Sequence, residues 1–220
     1  MELTMKYLKC VLFILAFKAT LPAECARWNS QAGYPPAQEL AAFLEQKDVL
    51  VNQTDCAIAA LEILGHEHAV AYIPQLVNLL TFRRTFSWEG TRFKMRPVTE
   101  LGHYPAAGAL FEIGKPALPA LLTVAAEEKP DSLKFNNAVS TIMLIHRDQS
   151  SQGVHFLRQA ALKQVNQEHR SNLDAAVELA QTLCTKDTRE SKDTCAAPAN
   201  EPLDPPKSEP IKNTQATKRQ

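Results

Sequence analysis

The chain has 220 residues, 45% of them hydrophobic, and equal numbers of basic and acidic side chains, 24 of each. That is enough apolar material for a packed core. A neutral balance gives no electrostatic argument for bulk nucleic-acid binding, and no nucleic-acid partner is expected.

Residues 1–23 read as a secretory signal. Lys6 and Lys9 form a positive start, "CVLFILAF" (10–17) is a short apolar run, and "ATLPA" (19–23) is a small-residue cleavage region. The apolar run is too short to span a bilayer, which needs about 20 residues. Membrane contact is therefore expected only through the signal during export. Cleavage after Ala23 is the preferred reading. A lipidated Cys25 is the rival, and the Glu before that cysteine argues against it. Removing 1–23 takes away three Lys and one Glu, leaving 21 basic and 23 acidic residues and a net charge of −2.

Loss of Cys10 leaves four cysteines, an even number that suits disulfides in an exported protein. Four cysteines allow three connectivities. The preferred one pairs Cys25 with Cys56 and Cys184 with Cys195. Cys56 as a small buried helix residue is the alternative. No CxxC occurs, so neither a thioredoxin-like site nor a zinc ribbon is supported.

Residues 24–34 read as an N-terminal linker, and 35–184 as a helical domain. A first helix over 35–46 starts after two prolines. Thr54-Asp55 is placed to cap the second, with Asp55 near its positive end. Helices follow at 69–82, 105–114, 117–128, 132–146, 151–165 and 168–184. Asn52-Gln53-Thr54 fits a glycosylation sequon, with a helix-cap role preferred. Asn136 and Asn137 read as helix surface. From 185 to 220 the chain is rich in charge and proline, with seven basic and six acidic residues, and is expected to be a disordered tail held at Cys195.

Two segments share a pattern. "AALEILGHEHAVAYIPQLVNLL" (59–80) and "GALFEIGKPALPALLTVA" (108–125) align on Gly65 and Gly114. Each has Ala-Leu-x-x-aliphatic-Gly, then aliphatic-Pro-x-Leu. Apolar residues at this spacing make one buried helix face. Glycine is expected to supply a left-handed end to the first helix of each pair, and proline to sit in the first turn of the second. A third segment, 136–162, keeps the apolar spacing, with Ile142 and Ile145 in the places of Leu110 and Ile113.

On these residues, about 54–162, the chain resembles the HEAT-repeat family, particularly the short HEAT-like repeats of phycobilisome lyases. The resemblance implies an all-α, right-handed α-solenoid of helix pairs. It does not imply an activity, because such repeats are mostly binding scaffolds. HEAT-like deoxyhypusine hydroxylases hold iron with several His-Glu pairs. Here there is one, His66-Glu67, and "HEH" (66–68) is not HExxH. It reads as solvated turn residues. His146 is expected to interact with exposed carbonyls at a helix end. No catalytic, cofactor-binding or metal residue is assigned, and no cofactor is expected.

The segment "FRRTFSWEGTRFKMRP" (82–97) breaks the pattern. Gly65 to Gly114 spans 49 residues, whereas Gly114 to His146 spans 32. The excess makes 82–103 an insertion, read as a β-hairpin turning at Glu89-Gly90. Phe86 would face Phe93, Ser87 Arg92, Trp88 Thr91, and Arg84 Met95. One face is apolar and the other basic. The apolar face either packs on the helices, leaving the basic face solvated, or the hairpin is a recognition surface. In the second reading Arg83, Arg92, Lys94 and Arg96 meet an anionic partner, with Trp88 as an aromatic anchor.

The leading functional expectation is a secreted or periplasmic, non-catalytic scaffold for a protein partner. The alternatives are a lyase- or hydroxylase-type enzyme or accessory, and a binder of an anionic glycan or lipid headgroup through the basic hairpin face.

Overall fold

The computed structural model describes residues 25, 28, 33–46, 48–84, 100–187 and 195. Among them are nine α-helices and no strand. In chain order these are α1 (Ala37–Leu44), α2 (Val49–Asn52), α3 (Thr54–His66), α4 (Ile73–Asn78), α5 (Pro105–Ile113), α6 (Leu118–Glu127), α7 (Leu133–Ile145), α8 (Ser150–Lys163) and α9 (Gln167–Asp187). Short 3-10 turns at Val70–Tyr72, Glu100–His103, Lys115–Ala117 and Arg147–Gln149 precede α4, α5, α6 and α8.

Local chemistry explains most of the boundaries. Prolines lie in the first turns of α4, α5 and α6, as expected where a missing N–H costs no helical bond. Ser132 caps α7, its hydroxyl accepting the Phe135 N–H at 3.2 Å. Gly114 ends α5 at φ 77°, ψ −138°, a conformation open to glycine. Thr54 does not cap α3. Gln53 holds that position without a side-chain bond, and the Thr54 hydroxyl turns back to donate to the Leu50 carbonyl at 3.2 Å.

The helices pack in two runs. α3, α5 and α7 touch in succession, and so do α4, α6 and α9. The runs meet through α4–α5, α6–α7 and α7–α9, while α1 covers α3 and α8 packs on α9. Leu61, Leu64, Leu76, Leu110, Leu121 and Ile142 lie fully buried between them. Each such side chain contributes roughly 1.5–3 kcal/mol on leaving water.

Two buried asparagines tie later helices to the ends of earlier ones, the first between the runs and the second within one. Asn137 of α7 donates through Nδ2 to the Leu80 carbonyl just past α4, at 2.7 Å. Asn172 of α9 donates likewise to the Ala126 carbonyl in the last turn of α6, at 2.8 Å. Helix C-termini leave carbonyls without intrahelical donors, and here a later helix supplies one. Asn137 is therefore interior, contrary to the surface position expected from "NN", because its amide has a carbonyl to satisfy.

The role expected of Gly65 also changes. The helix runs through it to His66, and the left-handed residue at this turn is His68, at φ 47°. Glycine serves packing instead. A Cβ on Gly65 would stand 2.6 Å from Ala109 Cα and 3.0 Å from its Cβ. α3 and α5 thus meet almost backbone to backbone. The helix expected over 69–82 is shorter, because Val70–Tyr72 are in a 3-10 turn and the chain leaves the helix after Asn78. α9 continues to Asp187, beyond the expected end at 184.

His146 ends α7 as expected, but its ring packs on Phe156, with centroids 5.9 Å apart. Its Nε2 is buried without a hydrogen-bond partner among the described residues. Burial, and then the nearby Lys115 charge, hold its pKa below the ordinary value of 6.5.

Gly65→Ala should lower stability by about 1–3 kcal/mol, because the added methyl overpacks a backbone contact that cannot yield cheaply; a chemical denaturation midpoint checks this. For His146, the unfolded chain takes up a proton more readily than the folded one. Its contribution to stability is intact above pH 6.5 and is lost as pH falls from there through the folded pKa. His146→Leu should therefore flatten the fall in melting temperature between pH 7.5 and 5, and an unchanged slope would assign the effect to other groups.

Candidate functional site: a groove between α3 and α5

One face of α3 presents Ala59, Glu62, Ile63 and His66, and one face of α5 presents Pro105, Gly108, Ala109 and Glu112. Both sets follow the i, i+3, i+4, i+7 spacing of a single helix face. Between them runs a groove of about 520 Å³. Its floor is low because Ala59, Gly108 and Ala109 are small. Around Gly108 there is open space, and an added Cβ would meet nothing within 4 Å.

The N-terminal segment supplies one wall. Cys25 is bonded to Cys56 in the first turn of α3, which holds Trp28 and Tyr34 beside the groove. Trp28 packs edge-on against Phe43 of α1, with centroids 5.4 Å apart. Tyr34 meets the His66 ring edge-on at 6.2 Å. The second expected bridge, Cys184–Cys195, is also formed and holds Cys195 in a buried position against α9. The two disulfides point to an oxidising, extracytoplasmic location.

The opposite rim is where the insertion leaves and rejoins the helices. The Arg84 N–H donates to the His103 carbonyl at 2.7 Å, so the two ends of the insertion meet. Its last four residues, Glu100–His103, form a 3-10 turn. Arg84, Gly102 and Tyr104 line the groove from this side. The Arg84 guanidinium is ion-paired with Glu62 across the groove. Its Nε is buried with no hydrogen-bond partner among the described residues. Glu112 is exposed and makes no ion pair with a described residue. The groove is thus aromatic on two sides, carries one neutralised charge pair, and keeps one carboxylate open.

Of the residues expected to meet a partner, Arg83 is exposed and lies next to this rim without lining the groove. Trp88, Arg92, Lys94 and Arg96 lie outside the described residues, as do the expected Phe86–Phe93, Ser87–Arg92 and Trp88–Thr91 pairings and residue Met95. Residues 1–23, expected to be a signal, and the tail beyond Cys195 lie outside them too. Sequence reasoning missed Glu62, Glu112, Tyr34 and Tyr104. The i, i+3, i+4, i+7 spacing of small and charged residues on two equivalent helices was the available signal. Glu67 and His68 form the exposed turn expected for them, whereas His66 is the last residue of α3 and reaches the groove.

Among the described residues, no group of three or more His, Cys, Asp or Glu side chains is arranged to hold a metal ion. No single described helix is long and apolar enough to cross a membrane.

The N-terminal wall depends on its cross-link. Replacing Cys25 and Cys56 by serine should cost about 3–4 kcal/mol by the chain entropy of a loop this long. It should also shift Trp28 emission to the red in a Trp88→Phe background, where Trp28 is the remaining tryptophan of two. Steady-state fluorescence and denaturation check both.

Compared with protein-family models, with curated proteins and with solved structures, the chain gives no match.

Proposed function

We propose that this chain is an exported scaffold built of HEAT-like helix pairs in a right-handed α-solenoid, and that it binds a protein partner along the α3–α5 groove without catalysing a reaction. The repeat reading is supported by the successive contacts of α3, α5 and α7 and of α4, α6 and α9. It is supported as well by the prolines in the first turns of α4 and α6, the second helices of the first two pairs. In a stack of this kind each unit buries its face against its neighbours, so matching faces of successive helices form a continuous surface. Export is supported by the signal-like residues 1–23 and by the two disulfides.

The observation that carries the binding role is the groove itself. It is concave, larger than a single side chain requires, and lined by aromatic rings with a few charged groups at its edges. Those are the features of a recognition site, where rigid aromatics give contact area and charges give register.

Gly108→Phe tests this without touching any charge. The ring would fill the open floor, and replacing a helical glycine should hold or raise stability. Cross-linked capture of secreted partners by the variant should drop at least about tenfold, the scale set by losing one well-packed contact, while the melting temperature holds. Capture at the wild-type level would remove the groove from the binding surface.

A further inference from the structure

We infer that the α3–α5 groove recognises a positively charged side chain, an Arg or Lys carried on an extended segment of a partner protein. The inference rests on the groove being the binding surface, and it adds the chemistry of what enters. The sequence had suggested an anionic partner, drawn by Arg83, Arg92, Lys94 and Arg96. The groove has the opposite character. Among the described residues, Arg84 is the lysine or arginine that lines it, and its guanidinium is already taken by Glu62. An entering anion would meet a cation already neutralised, together with the open Glu112 carboxylate. An entering cation would find Glu112 without an ion-pair partner among the described residues.

The walls favour the same occupant. Trp28, Tyr34 and Tyr104 are each partly exposed at the groove. Aromatic faces attract guanidinium and ammonium groups through the ring quadrupole, and a carboxylate at the same site adds a charge-assisted hydrogen bond. The long aliphatic stem of Arg or Lys suits the apolar floor of Ala59, Ile63 and Ala109. At about 520 Å³ the groove holds more than one side chain, which fits a short extended segment better than a lone amine.

The test uses the disulfide-bonded protein with Trp88→Phe, so that Trp28 emission reports from the groove. Three blocked pentapeptides serve as probes: Ser-Gly-Arg-Gly-Ser, the same peptide with citrulline for Arg, and the same with Glu. Citrulline keeps the shape and removes the charge. The Arg peptide should quench Trp28 saturably, with a Kd about tenfold or more below that of the citrulline peptide, the scale of one charge-assisted contact. The Glu peptide should bind weakest. Glu112→Gln should erase the Arg-over-citrulline preference at an unchanged melting temperature, since Glu112 is exposed.

Equal affinity for the Arg and citrulline peptides, or a preference that survives Glu112→Gln, overturns the inference. So does binding that appears only after residues 85–99 are removed, which would assign the groove to the chain's own basic segment. Gly108→Phe separates the two claims. If it abolishes binding of all three peptides and they bind alike in its absence, the groove remains the binding surface and the charge preference is wrong. If it leaves Arg-peptide binding intact, the groove is not the site.

Discussion

The backbones of α3 and α5 meet at Gly65 and Ala109, and much of the described structure depends on that contact. With no Cβ on Gly65, Ala109 Cα can approach to where a side chain would otherwise stand. Two helices that touch this closely cannot splay, so their flanking faces are held at a fixed separation. Leu61 and Leu64 on one side of the contact and Leu110 on the other become fully buried. The outer faces of the same helices, four residues from each, become the two sides of the groove. A substitution at Gly65 would therefore act on stability and on the groove together. Gly108, one residue from the contact, faces open space and can change without the same cost.

Polar groups in the interior follow a related logic. The carbonyls at the ends of α4 and α6 are reached by Asn137 and Asn172, each from a helix later in the chain. A buried amide without such a carbonyl would be destabilising, and a buried carbonyl without a donor equally so. Each bond thus fixes the register of a later helix against an earlier one. The Cys25–Cys56 bridge does the same for the N-terminal segment by covalent means. Trp28 and Tyr34 belong to no α-helix, and the bridge and the edge-on ring contacts keep them beside α3.

In their charges, sequence and fold draw attention to different residues. Along the chain, the basic residues of 82–97 stand out because they are close together in sequence. Glu62 and Glu112 do not stand out, because 50 residues separate them. Stacking α3 on α5 brings both to one groove, and it also brings Arg84 to Glu62. A cluster in sequence is conspicuous whether or not it is a site. A cluster made by packing is visible only after the helices are paired.

The sequence by itself determined the helical class, the approximate place of every long helix and the prolines in their first turns, and it made one of three cysteine pairings the preferred one. These follow from local rules: apolar residues at helical spacing, a ring without an N–H, and an even number of thiols in a chain with a signal-like start. Only the tertiary structure decided that Gly65 is a packing residue inside a helix, that Asn137 is interior, and that His146 is packed against Phe156. It alone brought two carboxylates, three aromatic rings and one paired arginine to a common groove. Each of those outcomes depends on which side chain or backbone lies across a helix interface, and that neighbour is supplied by residues far away in the chain.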